Sequence, residues 1–446
     1  MPARSFSRRQ FLGAACAAGY ATLASASTFA AEPPPVTTPR ATSGDSKVEP
    51  PWDERLTISV GPKDADLVGT TEKALQAAVD YVARFGGGTV KVLPGEFHLR
   101  NAVYLASKVR ILGSGADSVL LKQPSFKTKL AADSDWYDQE ITLADDAGFR
   151  VGDGVCLRTK NPHNGGMNVL KRTLVARTGK RFKLDKPLRE NFWQIGDTTV
   201  SALHPLFSGE EIADFTIENI VLDGNRAKND NLDGNYAGCI FLQDCSRGTI
   251  RGVTARNYNG DGVSWQICHD MLVENCHSHG HAGLGLHPGS GSQRPIIRDN
   301  RLTDCDIGVF FCWGVKYGLA EGNQINNCRL GISIGHRDTD NLVVNNNIVG
   351  SGEAGVLFRP ERGGGFCGHR NVIEKNRITN SGGETGVAID IQGATENITL
   401  RGNDIHETRR PMQRIGIRLS AETKAITLAE NQISGVSLAI ADLRVK

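Results

Sequence analysis

An asparagine recurs about every 23 to 30 residues through the second half of this 446-residue chain: Asn219, Asn275, Asn300, Asn323, Asn346, Asn376, Asn403 and Asn431, with Gly252 filling one further slot. Apolar residues such as Ile217, Ile250, Val273, Val344 and Leu400 stand two positions before the slot. A glycine follows each time and opens a short apolar run: Gly238, Gly262, Gly283, Gly308, Gly331, Gly355, Gly386 and Gly416. A unit of this length holds two or three short strands and no long helix, so it reads as one rung of a solenoid. Rungs of a coiled parallel sheet lie about 4.8 Å apart, and one slot then becomes a column of side chains. Asparagine suits such a slot because it tolerates left-handed backbone and bonds turn amides, and stacked amides also bond one another.

The runs after the glycines alternate with period two. Cys239 and Phe241, Val263 and Trp265, Leu284 and Leu286, Val309 and Phe311, Ile332 and Ile334, Val356 and Phe358, Val387 and Ile389, and Ile417 and Leu419 are expected inside the coil. The predicted fold is all-β: a right-handed parallel β-helix solenoid with an N-terminal capping helix and a small inserted β subdomain.

Upstream of the repeats, 70–85 reads as an amphipathic helix with Leu75, Ala78, Val79 and Val82 on one face and Thr70 as its cap. Gly86-Gly87-Gly88-Thr89-Val90 stops that helix and opens a strand, and Leu93-Pro94-Gly95-Glu96-Phe97 leads into another. This order resembles the N-terminal segment of the pectin-lyase-like β-helix superfamily, which includes polysaccharide lyases and polygalacturonase-type hydrolases. The resemblance covers 70–122 by motif and 214–446 by rung pattern, and implies that the helix covers the open end of the coil. Residues 136–204 break the pattern with short strands such as Ile141-Thr142-Leu143 and Val155-Cys156-Leu157, and read as the insert.

Ser7-Arg8-Arg9-Gln10-Phe11-Leu12, followed by an alanine-rich apolar stretch, reads as a twin-arginine signal peptide over 1–30. Export by the twin-arginine machinery to the periplasm or medium is therefore expected. Residues 31–55 read as a disordered linker, and 56–446 as the β-helix domain. Removing 1–30 takes three arginines and no acids, moving the formal charge from +2 to −1. That balance gives no global attraction for nucleic acid, and no apolar run reaches the length of a membrane span. The cysteines lack a C-x-x-C pair, which argues against structural zinc. Cys305 and Cys328 stack in neighbouring rungs and read as buried thiols.

Loops between each glycine and the next asparagine are the longest, notably 287–296 and 359–371, and mark the working face. Residues four and five past the glycines gather Gln266, His287, Trp313, His336, Arg359 and Asp390 there, with Arg337 next in line. His277, His279 and His281 alternate and read as a solvated turn rather than a metal site. Asp223, Asp230 and Asp233 share a loop without the spacing of a recognised calcium loop. Some lyases of the superfamily use calcium, but no cofactor or metal is expected here.

Two reactions can be weighed. Hydrolysis of a glycosidic bond uses two acidic groups roughly 5 to 9.5 Å apart. Polygalacturonase-type hydrolases carry an Asn-Thr-Asp rung and then an Asp-Asp rung; Asn259-Gly260-Asp261-Gly262 is similar to the first, but Ala282 stands where the pair would begin. Asp261, Glu361 and Asp390 remain as hydrolytic candidates. β-Elimination needs a base beside a uronate carboxylate and cations to stabilise the charge that builds there. The expected catalytic residues are His287, Lys316, His336 and Arg359, with Gln266, Trp313, Tyr317, Arg337, Glu361, Arg362, Asp390 and Asp261 around the substrate. The expectation is a polysaccharide lyase acting on a uronic-acid glycan, with a hydrolase or a noncatalytic glycan-binding surface protein as alternatives.

Overall fold

The computed structural model describes residues 50–383, 385–409 and 413–444. The twin-arginine segment and most of 31–55 lie outside them. Trp52–Glu54 forms a 3-10 turn at the end of that stretch, and Thr57–Gly61, just beyond it, is a strand of the coil.

Among the described residues, three parallel sheets wind into a right-handed β-helix. The first has thirteen strands, from Leu67–Val68 to Lys424–Ala429; the second and third have eleven each. A rung runs from the first sheet through a corner to the second, across a loop to the third, and through another turn to the next rung. The strands Leu272–Glu274, His277–His279 and Leu284–Gly289 make one such rung. Ile240, Val263, Leu286, Val309, Ile332, Val356, Ile389 and Ile417 are in register and point inward on the third sheet. Each buried side chain of this kind contributes roughly 1.5–3 kcal/mol.

The helix α1 (Glu72–Arg84) buries Leu75, Ala78, Val79 and Val82 against the first rungs and shields strand edges that would otherwise pair with other chains. Thr71, not Thr70, is its N-cap, and no side chain caps it. Among the described residues no helix is long and apolar enough to cross a membrane.

The corner between first and second sheets corrects the asparagine series. Two residues make this corner in nine successive rungs, and the asparagines divide between its two positions. Asn219, Gly252, Asn275, Asp299, Gly322, Asn345, Lys375, Gly402 and Glu430 hold the first position, all with φ between 51° and 65°. The second position holds Ile220, Val253 and Cys276, then Asn300, Asn323, Asn346, Asn376, Asn403 and Asn431. Only the last six form the ladder. Each amide nitrogen from Asn300 to Asn403 donates to the next Oδ1 at 2.8–3.1 Å. Asn219 and Asn275 serve the backbone, whereas the ladder serves buried hydrogen bonding.

The glycine series shifts similarly. Gly262, Gly285, Gly308, Gly331, Gly355 and Gly416 are in register, with Cys239 and Ala388 completing the column. Gly238, Gly283 and Gly386 fall outside it. In those rungs the inside–outside assignment therefore moves: Phe241, Leu284 and Val387 face outward. Anchoring on glycine fails because a cramped inner position accepts any small residue, and neighbouring turns also favour glycine.

The antiparallel insert starts at Lys127–Lys129, before 136, and ends with Thr199–Ser201. Its six strands pack around Leu143, Leu157, Leu174, Phe182, Phe192 and Val200, a core of its own. It occupies the loop between second and third sheets in one rung.

Candidate active site on the outer face of the third sheet

Outward residues of the third sheet form parallel columns. One runs Ser208, Phe241, Ser264, His287, Phe310, Ser333, Leu357, Asp390 and Arg418. The next includes Glu210, Gln243, Gln266, Gly289 and Cys312 at one end. His287 and Asp390 thus stand one column away from Gln266, not beside it.

His287 is almost wholly buried. Its Nδ1 donates to Asp261 Oδ2 at 2.8 Å, and the other carboxylate oxygen accepts the Leu284 N–H at 3.0 Å. The carboxylate therefore fixes the ring and its tautomer, leaving the Nε2 lone pair without a partner among the described residues. Ser264 Oγ donates to the Gly234 carbonyl at 2.5 Å and accepts from Gln266 Nε2 at 3.0 Å, fixing the floor beside the imidazole.

Gly234 lies in the loop that closes over this pair. Its φ lies outside the left-handed region, but a Cβ there would fall 1.6 Å from Asp261 Oδ2 and 2.7 Å from His287 Nδ1. Gly234→Ala is expected to drive the carboxylate off the imidazole and lower turnover by about tenfold or more, with a lowered melting temperature but a folded protein. Calorimetry beside a rate measurement checks this; an unaltered rate would show that the contact does not matter.

Phe310 follows His287 by one rung. Its ring meets the imidazole edge-on at 5.3 Å between centroids and carries the Arg359 guanidinium 4.5 Å from its centre. Arg359 belongs to a later rung but reaches back, donating to Ser333 Oγ at 2.8 Å, the Phe311 carbonyl at 3.1 Å and Glu361 Oε1 at 2.9 Å. Asp338 Oδ2 lies 3.4 Å from Arg359. Burial pushes the Asp338 carboxyl up to about 7, opposed by Arg359 and by the N–H groups of Gly314, Val315 and Gly335. Glu361 also accepts from His336 Nδ1 at 3.1 Å, and His336 lies against Trp313 with centroids 3.5 Å apart. Arg362 approaches His336 Nε2 at 3.5 Å, and Arg337 lies over Phe366. Trp313, His336, Arg337 and Glu361 all have positive φ. Such conformations persist only where surrounding contacts enforce them, and they cluster at working sites.

The expected residues thus divide. Asp261, His287, Arg359, Glu361, His336, Arg362 and Trp313 form one line of contacts joined through Phe310, with Gln266 at one flank and Arg337 at the other. Lys316 and Tyr317 lie elsewhere, in the turn back to the first sheet, where Lys316 is in register with Gln293 and Thr339. Asp390 is paired with Arg418, four rungs or roughly 19 Å from His287. None of the three acidic candidates is a free acid, because Asp261 holds His287, Glu361 holds Arg359 and His336, and Asp390 holds Arg418.

Sequence reasoning missed Gly234, Ser264, Phe310, Ser333 and Asp338. Anchoring register on the inward aliphatic residues would have put Ser264, Phe310 and Ser333 in the His287 column.

The three alternating histidines separate as well. His277 and His279 stack at 4.2 Å on the second sheet, while His281 is buried against the Ala255 carbonyl and the Tyr258 N–H. Among the described residues no group of three or more His, Cys, Asp or Glu is arranged to hold a metal ion. Asp223 pairs with Arg256, and Asp233 accepts the Asn235 N–H in its own turn. Cys305 and Cys328 are free, buried thiols.

A family model described as a right-handed β-helix region matches residues 218–366. The capsule K1-specific depolymerase of Klebsiella phage K64-1 is 21% identical over 202 residues, 42% of this chain and 22% of that protein, so the match spans about a fifth of the relative's length. The mannuronan C-5 epimerase AlgE6 A-module of Azotobacter vinelandii superposes with a TM-score of 0.51 at 16% identity, covering 87% of this chain and 99% of that one. PfbA, a surface adhesin of Streptococcus pneumoniae, gives 0.50 at 14% identity, covering 86% and 93%. These likenesses carry the fold.

Proposed function

We propose that this protein acts on an acidic polysaccharide lying along the outer face of the third sheet, removing the proton beside a uronate carboxylate in a β-elimination. The observation that carries the reading is the placement of His287 and Arg359 on the two sides of Phe310. Proton abstraction next to a carboxylate needs a base with an open lone pair and a cation to receive the charge that develops. His287, its Nδ1 proton held by Asp261, supplies the base at Nε2. Arg359 supplies the cation.

As C5 loses its proton to Nε2, the electron pair forms the C4–C5 double bond. The C4–O bond breaks, and the departing oxygen takes a proton from solvent or a neighbouring acid. Trp313, half exposed, offers a platform for a sugar ring. The epimerase and depolymerase likenesses agree with a glycan substrate on this fold. Hydrolysis is the weaker reading because it needs one of the three carboxyls to carry a proton, and basic partners hold all three as carboxylates; the same pairing leaves Arg359 charged. Export through the twin-arginine route remains part of the proposal and accords with a polymer substrate outside the cytoplasm.

The test is incubation of the protein with alginate, pectate and a neutral glucan, followed by mass analysis of the products. Oligosaccharides with an unsaturated non-reducing end support elimination. New reducing ends without unsaturation would replace it with hydrolysis, and binding without chain shortening would leave a glycan-binding protein.

A further inference from the structure

The same face continues past Gln266 towards the insert, where a pocket of about 440 Å³ opens between the two. Ser208, Glu210 and Gln243 line it from the third sheet, Asn235 and Tyr236 from the loop beyond Gly234, and Lys171 from the insert. Lys171 stands on the long strand Met167–Thr178. Its ammonium is buried 3.7 Å from the centre of the Phe241 ring and has no hydrogen-bond partner among the described residues. The neighbouring Arg172 differs: its guanidinium is committed to the carbonyls of Lys171, Lys186, Pro187 and Leu188. Of the two lysines lining the pocket, Lys186 is exposed to water, so Lys171 is the buried cation there with unused donors.

An ammonium with three donors, taken out of water and left without an acceptor, destabilises the fold. Burial accordingly lowers the Lys171 pKa to about 8, although Glu210 pulls it the other way. A core lysine serving only the fold would have an acceptor, as Lys122 has in Asn229 Oδ1 at 2.6 Å. The flexible four-carbon stem lets the Lys171 ammonium leave the aromatic ring for an anion arriving in the pocket. Phe241 precedes Ser264 and His287 in the same column, so Lys171 acts about two rungs, or roughly 10 Å, from the base. That separation suits a glycan unit further along the chain rather than the one being deprotonated.

We propose that the insert completes the groove with an acid-sugar subsite, in which Lys171 binds the carboxylate of a second uronate of the same polymer. The inference rests on the acidic-glycan reading above and adds a residue and a subsite to it. Gln243 and Asn235 are placed to meet the sugar hydroxyls.

The test is calorimetric titration of wild type, Lys171→Met and Lys171→Arg with hexamers of mannuronate and of galacturonate, and with the same hexamers after reduction of their carboxyl groups. Wild type is expected to favour at least one acidic hexamer over its reduced form. Lys171→Met should weaken that hexamer by roughly tenfold or more, leave the reduced form unchanged and retain or raise the melting temperature, while Lys171→Arg keeps most of the affinity. Equal binding of the acidic hexamer by wild type and Lys171→Met would overturn the subsite alone. A wild type indifferent to carboxyl reduction would instead overturn the acidic-glycan reading on which it stands. A collapsed melting temperature in Lys171→Met, unrelieved in Lys171→Arg, would make the lysine structural and also overturn the subsite.

Discussion

His287→Gln is expected to lower kcat on the cleaved polysaccharide by about a thousandfold while KM stays within a few-fold of wild type. Glutamine approximates the imidazole in length and can donate its amide N–H to Asp261, but it offers no nitrogen lone pair with useful basicity. The loss therefore falls on the proton-transfer step and not on binding, which is spread over Arg359, Trp313 and the neighbouring rungs. Asp261→Asn probes the same step from behind: the imidazole loses the charge that holds its Nδ1 proton, and an intermediate loss is expected. Rates measured with substrate in excess, alongside melting curves for both variants, separate this from simple unfolding. A His287→Gln protein that turns over near the wild-type rate would remove the base from the mechanism, whatever happens at Arg359.

Asn346→Leu should be among the most damaging changes of similar side-chain size in the coil, costing about 4 kcal/mol or more of stability. Asn346 Oδ1 accepts both the backbone N–H and the side-chain amide of Asn323, at 3.0 and 2.8 Å. Its own amide donates to the Ala320 carbonyl at 2.9 Å and to Asn376 Oδ1 at 2.9 Å. Leucine fills the space but strips partners from several groups that water cannot reach, each worth roughly 1–3 kcal/mol. The same substitution at Asn431, only partly buried at the last step of the column, should cost about 1 kcal/mol. Urea unfolding of the two variants compares them directly. Equal, small losses would mean that the column is decoration on an apolar coil.

The coil could be read from the chain because its spacing is set by one physical repeat, the return of the backbone to the same corner. The register was harder. Both corner positions accept asparagine for unrelated reasons, one for its backbone angles and one for its amide, so Asn219 and Asn300 look alike in sequence while standing in different columns. His287, His336 and Arg359 emerged because they follow the apolar runs, and strand ends must leave the core. Lys316 fits the same description, but the turn carries it round to another side. Phe310 and Asp338 were invisible: one looks like core and the other like a turn carboxylate, and only the fold sets the first between His287 and Arg359 and the second against the guanidinium. Lys171 was hidden in a strand whose several basic residues suggest nothing but exposure.

The two-residue corner between first and second sheets has a consequence for how such a molecule can change. Its length is constant across nine rungs, whereas the segments around the third sheet range from a short turn to the whole insert. The corner behaves as the spine of a bound book: pages of unequal width can be sewn in on the open side without shifting those above and below. Recognition of a different polymer can therefore be acquired by rewriting the margins while the binding itself stays untouched.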